Sequence, residues 1–218
     1  MQLAKLSLAA MLLSVAAFAQ NPVTADSPFQ VKYASNLTFG DSVINISNTG
    51  ANGAALYGPG FGGAAGNICV NVYAFSPDEQ LVSCCSCLVT PNGLVSLSAN
   101  NDLVSNTLTG VRPNSIVVKL LSTLAGTGGT GTSCSNSAAT AATATIVPGL
   151  VAWGTTLHST ATPPAAPFSV TETRFTPATL SAGELASITN RCTNIIGNGS
   201  TFGICRSCRA GGLGASKL

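Results

Sequence analysis

The chain has 218 residues, and only 7% of them are charged, against about a quarter in ordinary soluble domains. Nine Lys and Arg against seven Asp and Glu leave +2, which excludes the basic surface of a nucleic-acid binder and the charge pattern of a coiled coil. With 45% hydrophobic residues the chain is too apolar for disorder, and its length suits about one domain.

Residues 1–19 read as a secretory signal peptide. Lys5 supplies the positive start, residues 6–18 form an apolar run too short to span a bilayer, and Ala17-Phe18-Ala19 offers a small-x-small cleavage site. Cleavage before Gln20 removes Lys5, so +2 falls to +1. No later stretch predicts a membrane span. Residues 20–30, with Pro22 and Pro28, predict an extended lead-in, residues 31–209 a single β-rich domain, and residues 210–218 a flexible tail.

Residues 36–47 (NLTFGDSVINIS) predict a strand with a bulge at Gly40-Asp41. Residues 48–66 hold seven glycines and no charge, and predict a loop. Residues 69–75 (CVNVYAF) and 80–87 (QLVSCCSC) predict two strands joined at Ser76-Pro77-Asp78-Glu79, a hairpin turn whose rival is a helix start. Thr90-Pro91 predicts the start of a short helix through Leu94 and Leu97, broken at Asn100-Asn101-Asp102. Residues 116–121 (IVVKLL) predict a strand, and residues 125–145 a low-complexity loop holding Cys134. Residues 146–160 predict a strand with Val151, Trp153 and Leu157 on one face. Residues 161–167 are a proline-rich connector, and residues 168–175 (FSVTETRF) a further strand.

The clearest helix covers residues 182–196. Ser181 is its N-cap, Glu184 completes a capping box, Leu185, Ile188, Cys192 and Ile195 share one face, and Gly197-Asn198-Gly199 stops it. A last strand is expected over residues 201–208. The pattern predicts a mainly β, sandwich-like domain with one C-terminal helix and short helical additions.

Export gives meaning to the eight cysteines: Cys69, Cys84, Cys85, Cys87, Cys134, Cys192, Cys205 and Cys208. An even number in an oxidising compartment predicts disulfides, of unspecified connectivity. The rival reading uses Cys84–Cys87 and Cys205–Cys208 as C-x-x-C pairs for a metal or for thiol redox chemistry. Adjacent Cys84 and Cys85 on a strand point to opposite faces, so each needs its own partner.

His158 is the only histidine, which excludes a zinc site with two or three histidines, and no G-x-S-x-G elbow accompanies it. On its strand it shares a face with Ala152, Gly154 and Thr156, the setting of a solvated side chain. Of the carboxylates Asp26, Asp41, Asp78, Glu79, Asp102, Glu172 and Glu184, the cap takes Glu184, the turn takes Asp78 and Glu79, and Glu172 is placed to pair with Arg174. No acidic cluster suited to calcium is visible. Asn36, Asn45 and Asn198 open glycosylation sequons. Residues 120–171 carry no formal charge, which suits burial against neighbours or a neutral hydroxyl-rich surface.

Residues 81–94 (LVSCCSCLVTPNGL) and 202–214 (FGICRSCRAGGLG) resemble blocks of a family of uncharacterised secreted bacterial proteins. The resemblance implies a bacterial source and unused sequons, and carries no activity or site residue. The sequence thus predicts a secreted or cell-surface, non-enzymatic structural protein, self-assembling or adhesive, its partner a second copy or another surface component. It predicts no catalytic residue, cofactor, metal, nucleic acid or membrane span. The alternatives are an extracytoplasmic metal or thiol-redox protein and a secreted hydrolase.

Overall fold

A computed structural model describes residues 25–57, 63–140, 144–159, 168–206 and 208–210. The predicted signal peptide at 1–19, the predicted connector at 161–167 and nearly all of the predicted tail lie outside the described residues. Among the described residues, ten strands form two antiparallel five-stranded sheets. In chain order they are β1 (Phe29–Ala34), β2 (Val43–Asn48), β3 (Ile68–Phe75), β4 (Leu81–Val89), β5 (Leu94–Ser98), β6 (Ile116–Leu124), β7 (Leu150–Ser159), β8 (Phe168–Arg174), β9 (Thr176–Pro177) and β10 (Arg209–Ala210). The first sheet has the order β4-β3-β6-β1-β9 and the second β10-β5-β2-β7-β8.

The two sheets face each other across one apolar core. Val70, Val72, Val118 and Leu120 from the first meet Ile44, Ile46, Leu97 and Leu150 from the second, all buried. Along β3 every residue is buried, because its second face is covered too. That cover combines α1 (Ala182–Gly197), whose Ile188, Cys192 and Ile195 cluster with Phe29, Tyr73 and Leu121, and the turn at Asn136–Thr140, whose Ala139 lies on Tyr73. Gln30, buried in β1, joins the sheets by donating from Nε2 to the Leu150 carbonyl at 2.5 Å.

The hairpin between β3 and β4 forms as expected. Glu79 N–H donates to the Ser76 carbonyl at 3.0 Å, and Glu79 takes φ 65°. The helix also forms, with the Glu184 N–H donating to Ser181 Oγ at 3.1 Å. Only that half of the expected box is made by these side chains: the Glu184 carboxylate goes to Lys119 Nζ at 2.5 Å.

Four expectations are corrected. The helix expected from Thr90 is instead a tight turn followed by β5. Gly93 N–H donates to the Thr90 carbonyl at 2.8 Å with Asn92 at φ 61°, the geometry that Pro at the second turn position and Asn at the third favour. The next five residues then alternate as a strand against β2. The strand expected over 36–47 begins only at Val43: the chain turns at 36–39, and Asp41 accepts from Ser98 Oγ and the Asn100 N–H rather than forming a bulge. The lead-in already joins the sheet at Phe29. The last strand shrinks to a bridge between Cys84 and Ile204 and the two residues of β10, which bring Ala210 into the second sheet.

The described part of the 125–145 loop is anchored. Cys134 bonds to Cys69, and a 3-10 turn at Asn136–Thr140 buries Ala139, whose carbonyl accepts from Tyr73 Oη at 2.8 Å.

Candidate functional site

Strand alternation decides where the cysteines point. On β4, Cys85 and Cys87 join the core between the sheets, while Cys84 faces α1. Three bridges follow: Cys84–Cys192 fastens the helix, and Cys85–Cys205 and Cys87–Cys208 fasten the segment after it, with Cα separations of 5.9, 5.5 and 5.5 Å. Cys69–Cys134 completes the set, so all eight predicted cysteines are bonded. Neither C-x-x-C pair closes on itself. The Cys85, Cys87 and Cys208 sulfurs lie within 4.8 Å of one another, so two bridges sit side by side.

These crossings also cap the margin of the first sheet. The N–H of Cys84 donates to the Gly203 carbonyl at 2.8 Å, that of Ser86 to Asn136 Oδ1 at 3.2 Å, and the Val82 carbonyl accepts from the Leu108 N–H at 3.3 Å. At the far side of the second sheet β8 is left differently. From Ser169 to Arg174 every residue is exposed, although the strand pairs with β7 along its length.

The remaining polar residues sit in structural roles. His158 is exposed on β7 and bonds Thr171 Oγ1 at 2.8 Å. Its face is half-exposed: His158 stands at the exposed outer end, while Ala152 on the same face is in the core and Lys32 lies over Gly154. Glu172 lies on the opposite face of the ribbon. Glu172 and Arg174 do share a side, but each takes another partner. Asn45 Nδ2 donates to Glu172 Oε1 at 2.8 Å, and the Arg174 guanidinium stands 5.7 Å from the Trp153 ring centre. Asp102 is buried and accepts from the Ser98 N–H at 2.7 Å, and Asp78 accepts from Ser76 Oγ.

Among the described residues, two titrating groups respond to burial. The Tyr73 phenol is pushed up by desolvation. The Lys32 ammonium is pushed down by desolvation, partly offset by Glu172. Lys32 Nζ donates to Thr173 Oγ1 at 2.5 Å, a tie between β1 and β8 that the sequence did not suggest. A signal was present only in hindsight of the pairing: Gly154 leaves room for the Lys32 stem, since a Cβ there would sit 2.6 Å from its Cδ.

Two shallow hollows flank α1. One, of about 410 Å³, is lined by Pro28, Leu121, Ile146, Ala178, Leu180 and Leu185, and is apolar. The other, of about 300 Å³, holds Phe75 with Lys119 and Arg191 beside its ring, at 4.7 and 5.9 Å from the centre, and the Lys119–Glu184 ion pair. Neither has His158 in its lining. Comparison of the chain with known protein families, curated proteins and solved structures finds no match.

Proposed function

We propose that this protein is a secreted or cell-surface structural component without enzymatic activity, self-assembling or adhesive. The observation that carries the reading is the use of all eight cysteines in four bridges, three of them on one strand. Such a framework persists in oxidising compartments and is rare where thiols are kept reduced. The dispersal of the acids and the histidine over separate hydrogen bonds supports it, as does the scarcity of charge. Among the described residues no helix is long and apolar enough to cross a membrane.

The test is a mass measurement and non-reducing peptide map of the protein purified from its native compartment. The expected mass is lower than that of the reduced chain by two hydrogens per bridge, with peptides joined 69–134, 84–192, 85–205 and 87–208. Free thiols in the native product overturn the reading. Light scattering at rising concentration tests the assembly part.

One observation favours a second reading, an extracytoplasmic metal or thiol-redox protein: the close approach of the Cys85, Cys87 and Cys208 sulfurs. A thiol reductant that opens both neighbouring bridges would leave Cys85, Cys87, Cys205 and Cys208 as a tetrathiolate set suited to Zn²⁺. A Co²⁺ titration of native and reduced protein separates the readings. Tight binding by the protein as isolated would favour the second.

A further inference from the structure

β8 has the longest strand margin that no other described segment covers. β9 and β10, at the other ends of the sheets, are two residues long, and β4 is capped by the crossings described above. The pairing of β8 fixes which of its backbone groups are unused. Phe175 N–H donates to the Ala152 carbonyl at 2.8 Å, in register with Trp153 opposite Arg174. Antiparallel ladders alternate bonded and non-bonded pairs, so Ser169, Thr171 and Thr173 bond to β7. Phe168, Val170, Glu172 and Arg174 aim their N–H and C=O groups away from the molecule.

We propose that this margin pairs with itself: two copies of the chain join antiparallel, β8 against β8, about a two-fold axis at Thr171. The inference names the partner in the assembly reading above and rests on it. The side chains are self-complementary in this register. Phe168 lies opposite Arg174 of the second copy at both ends, a ring against a guanidinium. Phe39, stacked on Phe168 at 4.7 Å between ring centres, widens that apolar seat. Val170 lies opposite the stem of Glu172. On the other face Ser169 meets Thr173, and Thr171 meets Thr171, pairs that strands favour. A shift of two residues that sets Glu172 against Glu172 is opposed by like charge, and the opposite shift, Val170 against Val170, gives up both Phe168–Arg174 contacts.

Natural edges are blunted by lysine, proline, a bulge or brevity. Residues 168–174 contain no lysine or proline, one Glu balances one Arg, and the pairing with β7 runs without a bulge. The product is a single ten-stranded sheet made of two five-stranded ones.

The test uses the native, bridged protein. Sedimentation equilibrium is expected to show a reversible dimer. Hydrogen exchange is expected to show the amides of Val170, Glu172 and Arg174 becoming protected as concentration rises, while those of Ser169, Thr171 and Thr173 are protected throughout. Val170→Pro removes an outward N–H and spares the β7 ladder, and is expected to weaken the dimer about tenfold or more. A dimer in which the three outward amides stay unprotected overturns the β8 pairing and leaves assembly standing. A monomer at every concentration overturns both. The exchange measurement decides the matter even if the proline variant does not fold.

Discussion

β4 and β8 both run along the margin of a five-stranded sheet, and they are finished in opposite ways. β4 carries three disulfides and gives its margin groups to crossing segments. β8 is tied to the body by β7 on one side and by Lys32 and Asn45 side chains. Chemically the difference is one of composition. LVSCCSCLV can bury both faces and cross-link them, whereas FSVTETR has one polar face and one mixed face. Rigidity is concentrated at one border of the molecule, and unsatisfied backbone hydrogen-bonding capacity at the other.

The contrast can be broken most strongly at Cys84–Cys192. Because the Cys85–Cys205 bridge already joins the neighbouring residue to the chain beyond α1, Cys84–Cys192 closes a further loop of only about 15 residues in the unfolded chain, so the double variant Cys84→Ala/Cys192→Ala is expected to lose about 3 kcal/mol, read as a fall in urea midpoint. Tyr73, under the same cover, tests the packing next. Tyr73→Phe forfeits the bond to the Ala139 carbonyl and is expected to cost about 1 kcal/mol at neutral pH. Because burial raises this phenol, the folded chain keeps a proton that the unfolded chain releases near pH ~10. Its stabilising contribution is whole below that pH and declines above it. Urea midpoints at neutral and strongly alkaline pH should diverge in the native protein and less so in the phenylalanine variant. Ser83 has a buried hydroxyl with no hydrogen-bond partner among the described residues, so Ser83→Ala is expected to be neutral or to stabilise by up to about 1 kcal/mol. At the β8 border the smallest effect is expected. Glu172→Gln removes the charge that supports the Lys32 ammonium, so the Lys32 pKa should fall further, measured by NMR titration, with little change in thermal midpoint.

Much of this architecture could be read from residue order. The Ser76–Glu79 hairpin, the capped helix with Cys192 on its inner stripe and the opposed directions of Cys84 and Cys85 are local consequences of turn chemistry and periodicity. What was hidden is non-local. Leu94–Ser98 alternates like a strand, yet Thr90-Pro91 gives the same signal whether a helix or a turn follows, and only β2 decides between them. Bridge partners lie 65 to 121 residues apart, and the chain alone ranks none of the pairings. The strand FSVTETRF was legible, but not its bare outer edge, because that depends on which strands arrive beside it. Glu172 and Arg174 were placed on one side correctly; Asn45 and Trp153, brought in by β2 and β7, outbid the expected pair.

The clustering of three sulfurs on β4 also sets a timetable. A ribosome delivers Cys84, Cys85 and Cys87 together, and their mates follow 108, 120 and 121 residues later. Cys69 and Cys134 can meet while more than fifty residues are still to be added. Until Cys192 is made, the three neighbouring thiols have only one another, Cys69 or Cys134 to react with. Correct oxidation of these three must therefore wait for the C-terminal segment, and premature pairing among them would strand Cys192, Cys205 and Cys208.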